Sequence, residues 1–157
     1  MLLRIGLIGA ICVGVLPAQK YSGPRPAKPD VPYLVHADSL VETEVVEAKE
    51  EKKKDDLSFV VAGASSTAKT PLAGPVFIFE GDKLSANKIQ LYKFEVKNGR
   101  REVLFSHKGK LQARPRRLNV TPLGGNLYKI EVDESLENGE YALSPEDSNQ
   151  AFCFQVF

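Results

Sequence analysis

Tryptophan is missing from this chain, and its 157 residues include only two histidines, two cysteines and one methionine. Each scarcity removes a class of chemistry. A zinc site gathers three or four His, Cys or carboxylate ligands, and His36 and His107 stand in different segments. The HAD stretch at 36–38 would need a third ligand from elsewhere, so no metal is expected. Copper handling through sulfur is excluded in the same way, because the methionine is Met1 and the cysteines are Cys12 and Cys153. Charge of one sign is lacking too. With 21 basic and 20 acidic side chains the formal charge is +1, which supplies no field to draw nucleic acid or anionic lipid.

What is present divides unevenly. Residues 1–18, MLLRIGLIGAICVGVLPA, place Arg4 before an apolar run and small residues at its end, the pattern of a cleaved secretory signal. The run is short for a membrane span. Cleavage would remove Cys12 and leave Cys153 as the single thiol, so no disulfide could form within the chain. Cys153 then reads as a small buried apolar side chain. Residues 19–32, with four prolines, read as a semi-extended leader. Residues 33–157 remain for one domain of ordinary size, exported to the periplasm, the cell surface or the medium.

Within that domain the periodicity is that of strands. Val41, Thr43 and Val45 alternate, as they would on one strand face. Residues 47–56, EAKEEKKKDD, lack an apolar stripe that could dock a helix, which favours the tip of a charged hairpin. VFIFE from Val76 is a compact apolar strand. Ile89 to Phe105 holds the clearest hairpin: Asn98-Gly99 supplies the positive φ angles of a two-residue turn, and Tyr92, Phe94 and Val96 share a face. Gly124-Gly125 marks another reversal. In the last strand Phe152, Phe154 and Val156 share one face, expected to be core, and Cys153, Gln155 and Phe157 the other. Roughly eight short strands result, with no helix of three turns.

The stretch Leu136-Glu137-Asn138-Gly139-Glu140-Tyr141 resembles the tyrosine corner of immunoglobulin-like and fibronectin type III-like sandwiches. The resemblance implies an all-β, antiparallel immunoglobulin-like β-sandwich of about 7–8 strands. It further implies that Leu136 fills the core under the corner, Gly139 makes the bend and the Tyr141 hydroxyl bonds back to the upstream main chain. The GEYALSP and FCFQVF pattern is similar to that of secreted bacterial proteins of unknown function, a likeness that carries no activity. Phe157 at the end raises the alternative of a small outer-membrane barrel, against which stand short strands bearing Lys and Glu.

No constellation for catalysis is legible. Ser65-Ser66 lies in a small-residue loop without a nucleophile elbow, and the plentiful carboxylates alternate with lysines as on a solvated face. No cofactor is expected and the chain does not read as an enzyme; a hydrolase would need a pocket joining a histidine to carboxylates. One asymmetry stands out. Lys97, Arg100, Arg101, Lys108, Lys110, Arg114, Arg116 and Arg117 form a basic run, and Glu131, Asp133, Glu134, Glu137, Glu140, Glu146 and Asp147 an acidic one. The basic run is the candidate contact surface, for an envelope protein or an anionic glycan. The leading expectation is therefore a non-catalytic structural or interaction module. A carbohydrate-binding or adhesin-like module, with Tyr21 and Tyr33 as exposed aromatics, is the alternative. Asn119-Val120-Thr121 fits a glycosylation sequon.

Overall fold

The computed structural model describes residues 20–157; the expected signal, residues 1–18, lies outside the described residues. In chain order the strands are β1 (Tyr33–His36), β2 (Ser39–Glu42), β3 (Glu44–Glu47), β4 (Lys49–Lys53), β5 (Asp56–Ala62), β6 (Lys69–Thr70), β7 (Val76–Glu80) and β8 (Ile89–Lys93). There follow β9 (Glu95–Lys97), β10 (Arg100–His107), β11 (Lys110–Leu111), β12 (Leu118–Gly124), β13 (Leu127–Val132), β14 (Gly139–Pro145) and β15 (Gln150–Val156). A single 3-10 turn, Ala86–Lys88, is the only helical element among the described residues.

These strands form an all-β sandwich of antiparallel sheets, with three layers. The first sheet has the order β12-β13-β7-β1-β2 and the second β3-β15-β14-β8; β6 runs parallel to β15 at its edge. The third is β11-β10-β5-β4, with β9 also on β10. All three run openly from one edge strand to another, so none closes into a barrel.

Side-chain parity dictates the layering. On β14 and β15 one face carries Tyr141, Leu143, Phe152, Phe154 and Val156, which pack against Leu34, Phe77, Phe79 and Ile130 of the first sheet. Phe154 meets Phe77 edge-on at 5.0 Å between ring centres and lies parallel to Tyr141 at 5.6 Å. The opposite face carries Ala142, Ala151 and Cys153, which pack against Val61 and Val103 of the third sheet. The second sheet is thus covered on both sides, and its sequence is correspondingly almost continuous in apolar residues.

The larger number of strands and the third sheet have one cause. Extended runs that read as single strands step from layer to layer at one residue. Thr43 takes the chain from the first sheet to the second, its N–H and hydroxyl both donating to the Pro32 carbonyl. At Ala48, whose N–H donates to Asn149, the chain passes to the third sheet. Phe94 does the same after β8, its N–H donating to the Glu140 carbonyl at 2.8 Å. Two expected faces are corrected as a result. Val45, expected beside Val41 and Thr43, lies on the edge strand β3 and is 41% exposed. Val96, expected beside Tyr92 and Phe94, is 48% exposed, while Leu91 is fully buried in the first core.

Turns follow the sequence closely. The charged run closes as a hairpin on Lys54-Asp55, between paired Lys53 and Asp56, with Lys54 at φ 53°. Asn98 and Gly99, at φ 51° and 72°, close β9 on β10. The leader lies along the first sheet. Lys28 pairs with Glu42 at 2.8 Å, and the Asp30 N–H donates to the Glu80 carbonyl at 2.7 Å. The Asp30 carboxylate accepts the N–H groups of Asp82, Lys83 and Leu84. Partial burial works to raise this carboxyl, yet the three N–H donors and the Lys83 charge hold it below the ordinary aspartate range.

The connection from β13 to β14 carries the chain from the first sheet to the second. Leu136 is buried in the core there, and its N–H donates to the Ala73 carbonyl at 2.7 Å. The Tyr141 hydroxyl donates to the Glu137 carbonyl at 2.8 Å. Gly139 opens β14 opposite Val156, where an added Cβ would lie 3.3 Å from Lys93 Cε. Tyr141→Phe keeps the ring stacked and removes only the hydroxyl bond, so an expected loss is about 1 kcal/mol. A lower urea midpoint with an unchanged slope is the signature to look for; an unshifted midpoint would show that the corner bond contributes nothing.

Candidate functional site

Large side chains on one face of β14 and β15 fill the first core; small ones on the other leave space. Ala48, Ala142 and Ala151 form the floor of a cleft of about 500 Å³ between the second and third sheets. Its walls are aromatic. Phe105 of β10 stands edge-on to Phe59 of β5 at 5.0 Å and tilted to Tyr92 of β8 at 5.1 Å, and Phe94 completes the lining. The rim is the turn between β14 and β15, with Glu146, Asp147, Ser148 and Asn149, joined by Gln90 and Ser144. The Tyr92 hydroxyl donates to Gln90 Oε1 at 2.6 Å. Burial, and then the Glu146 carboxylate, push this phenol above its ordinary value. A mostly apolar concavity with few placed polar groups is the usual form of a small-ligand site. A second groove shares Tyr92, Phe94 and Val103 and extends to Arg114 and Arg116.

Next to the cleft a buried ion network fastens the third sheet to the second. Arg101 of β10 is 1% exposed. Its Nε donates to the Gly63 carbonyl at 3.0 Å, one terminal nitrogen to Glu44 and Ser66, and the other to Glu44 and the Ala62 carbonyl. All five guanidinium N–H groups therefore have partners. Glu44 receives a two-pronged pair at 2.9 Å on each oxygen, the strong geometry for this charge pair. Glu140, also buried, lies 3.9 Å from Arg101 and accepts the Ser66 N–H and hydroxyl on Oε2, while its Oε1 has no partner among the described residues. Burial works to raise the Glu44 carboxyl, but the hydrogen bonds from Arg101 and Thr67 and the guanidinium charge hold it below the ordinary glutamate range. Cys153, beneath, is fully buried, and burial pushes its thiol up to about 12 despite Arg101. It packs as a small apolar side chain.

The expected contact surface is corrected at Arg101, which belongs to this interior network and cannot reach a partner. Of the other seven residues, four are already paired. Lys97 pairs with Glu95, Arg100 with Glu51 and Glu102, Arg116 with Glu134 at 3.2 Å, and Arg117 with Asp133. Lys108, Lys110 and Arg114 form no ion pair among the described residues. The basic and acidic runs meet at Arg116 with Glu134, Arg117 with Asp133 and Arg101 with Glu140, while Lys97 and Arg100 pair with carboxylates outside the acidic run. Tyr33, expected to be exposed, is 5% exposed and part of the first core, its hydroxyl donating to Glu42. His107 Nδ1 lies 2.7 Å from Asp56 Oδ1 on the surface, far in sequence from His36 at the β1–β2 turn. No cluster of three metal-ligating side chains occurs among the described residues.

The cleft residues Phe59, Tyr92, Phe105, Ala142 and Ala151 escaped the sequence reading. Their signal was the alternation of large and small residues in EYALS and AFCFQVF, which read as a buried and an outer face. The fold and cleft define a three-layer β-sandwich with an aromatic cavity between its second and third sheets. No family model, curated protein or solved structure matches the chain.

Proposed function

We propose that this chain is an exported, non-catalytic binding module that holds an apolar ligand between its second and third sheets. The observation that carries this reading is the cleft of about 500 Å³, with an alanine floor and walls of Phe59, Tyr92, Phe94 and Phe105. Small outward residues on a central strand pair leave apolar surface facing solvent in the cleft, and an apolar occupant would remove that surface from water. The ion network of Arg101 supports the same role by fixing the distance between the two sheets, so that the cavity is formed before binding. The export signal read in residues 1–18 supports a location outside the cytoplasm.

A titration with the neutral fluorophore N-phenyl-1-naphthylamine tests the reading, since this probe brightens in apolar surroundings. Saturable binding is expected for the chain and not for Ala151→Leu, in which the added carbons occupy the floor. Circular dichroism should show that the variant keeps its sheets. A chain that leaves the probe dark, or a variant that binds it as well, would overturn the reading. The second reading, a contact surface for an envelope protein or anionic glycan, retains Lys108, Lys110 and Arg114 as its free cations, beside Leu111, which is 73% exposed. Changing these three cations to Glu should abolish retention on an anionic glycan column if that surface binds.

A further inference from the structure

The charge on the lining of the cleft itself is one-sided. Among its lining residues the only formal charges are Glu146 and Asp147, and there is no Lys, Arg or His. Neither carboxylate enters an ion pair among the described residues, although twelve such pairs exist elsewhere on them. Both sit on the turn that caps the aromatic walls, and Glu146 is close enough to Tyr92 to raise its phenol. The turn is fixed in place: the Glu146 N–H donates to the Lys88 carbonyl at 2.8 Å, and Ser144 Oγ donates to the Gln150 carbonyl at 2.8 Å.

Resting on the binding role proposed above, we infer that the ligand is an organic cation: an apolar body in the cleft with an ammonium or guanidinium group at its acidic rim. Ring faces attract a cation through their quadrupole, and two uncompensated carboxylates add a Coulomb attraction that an anionic head would meet as repulsion. A neutral ligand gains from the walls alone. The cleft therefore discriminates by the sign of the head group more than by the body.

Displacement of the bound neutral fluorophore by matched ten-carbon amphiphiles, each below its micellar concentration, tests this. Decyltrimethylammonium is expected to displace the probe at about one-tenth the concentration of decyl sulfate, a difference of about 1.4 kcal/mol, with decanol between them. In 1 M salt, where the screening length falls to about 3 Å, the gap should narrow. In the double variant E146Q/D147N, to which the probe is titrated afresh, it should close to within about twofold on the same arithmetic. Gln is isosteric with Glu, and Asn tolerates the left-handed backbone of Asp147, at φ 57°, so the turn is retained. Equal displacement by the three amphiphiles, or a preference that survives the double variant, overturns the cation inference alone. Failure of the neutral probe to bind overturns it together with the binding role.

Discussion

Replacing Arg101 with leucine should destabilise the domain by about 3–5 kcal/mol, because it strands the Glu44 and Glu140 carboxylates in the interior and strips the Gly63 and Ala62 carbonyls of their donors. For a domain of this size that is a fall in melting temperature of roughly 10–15 °C. Arg101→Lys should recover only part of the loss, since an ammonium offers three donors on a point charge where the site uses a planar fork of five. The pH dependence identifies the cause. Glu44 has a folded value below its unfolded one, so its contribution is present above the ordinary glutamate range and is lost as pH falls through the folded value. The stability gap between the chain and Arg101→Leu should therefore be widest near neutrality and shrink below about pH 4. A constant gap from pH 7 to pH 3 in urea titrations would show that Arg101 acts through packing alone.

The network also shows where sequence reading reaches its limit. In the sequence Arg101 is one cation in a basic run, next to Arg100 and indistinguishable from it. The register sorts them: Arg100 pairs with Ala62 and Arg101 with Val61, on opposite faces of the third sheet, so one guanidinium lies on the surface and the other is enclosed. Parity within β10 is visible in the sequence, but which face is covered depends on a layer that no local pattern announces. The same holds for Val45 and Val96, whose alternation is correct and whose cover is missing. Features with local causes were legible. Asn98-Gly99 forces its own turn, the EAKEEKKKDD run has no stripe on which a helix could dock, and Phe152, Phe154 and Val156 share the large-residue face of β15. The Leu136, Gly139 and Tyr141 spacing likewise carries its own chemistry, because the hydroxyl reaches a carbonyl four residues back. The cleft was not legible, because it arises from what Ala142 and Ala151 fail to fill once a third sheet is laid over them.

Two substitutions at adjacent positions of β15 separate a three-layer fold from a two-layer one. Phe154→Ala should cost about 3–5 kcal/mol in either case, since the ring is fully buried between Phe77 and Tyr141 and its removal leaves a cavity that those rings cannot close. Cys153 points the other way. If β15 had only one covered face, Cys153→Leu would enlarge a surface side chain and change stability by less than about 0.5 kcal/mol. With Val61 and Val103 of the third sheet packed over it, the added carbons have to displace the aliphatic contacts or press on the Arg101 network, at an expected cost of about 1–3 kcal/mol. Cys153→Ala, which loses volume without strain, should cost less than Phe154→Ala and leave the probe-binding cleft intact, because Cys153 does not line it. Equilibrium unfolding of the three variants decides the matter: a neutral Cys153→Leu beside a crippled Phe154→Ala would mean that the third sheet does not stay closed over the second in solution, and that the cleft it roofs is an open surface.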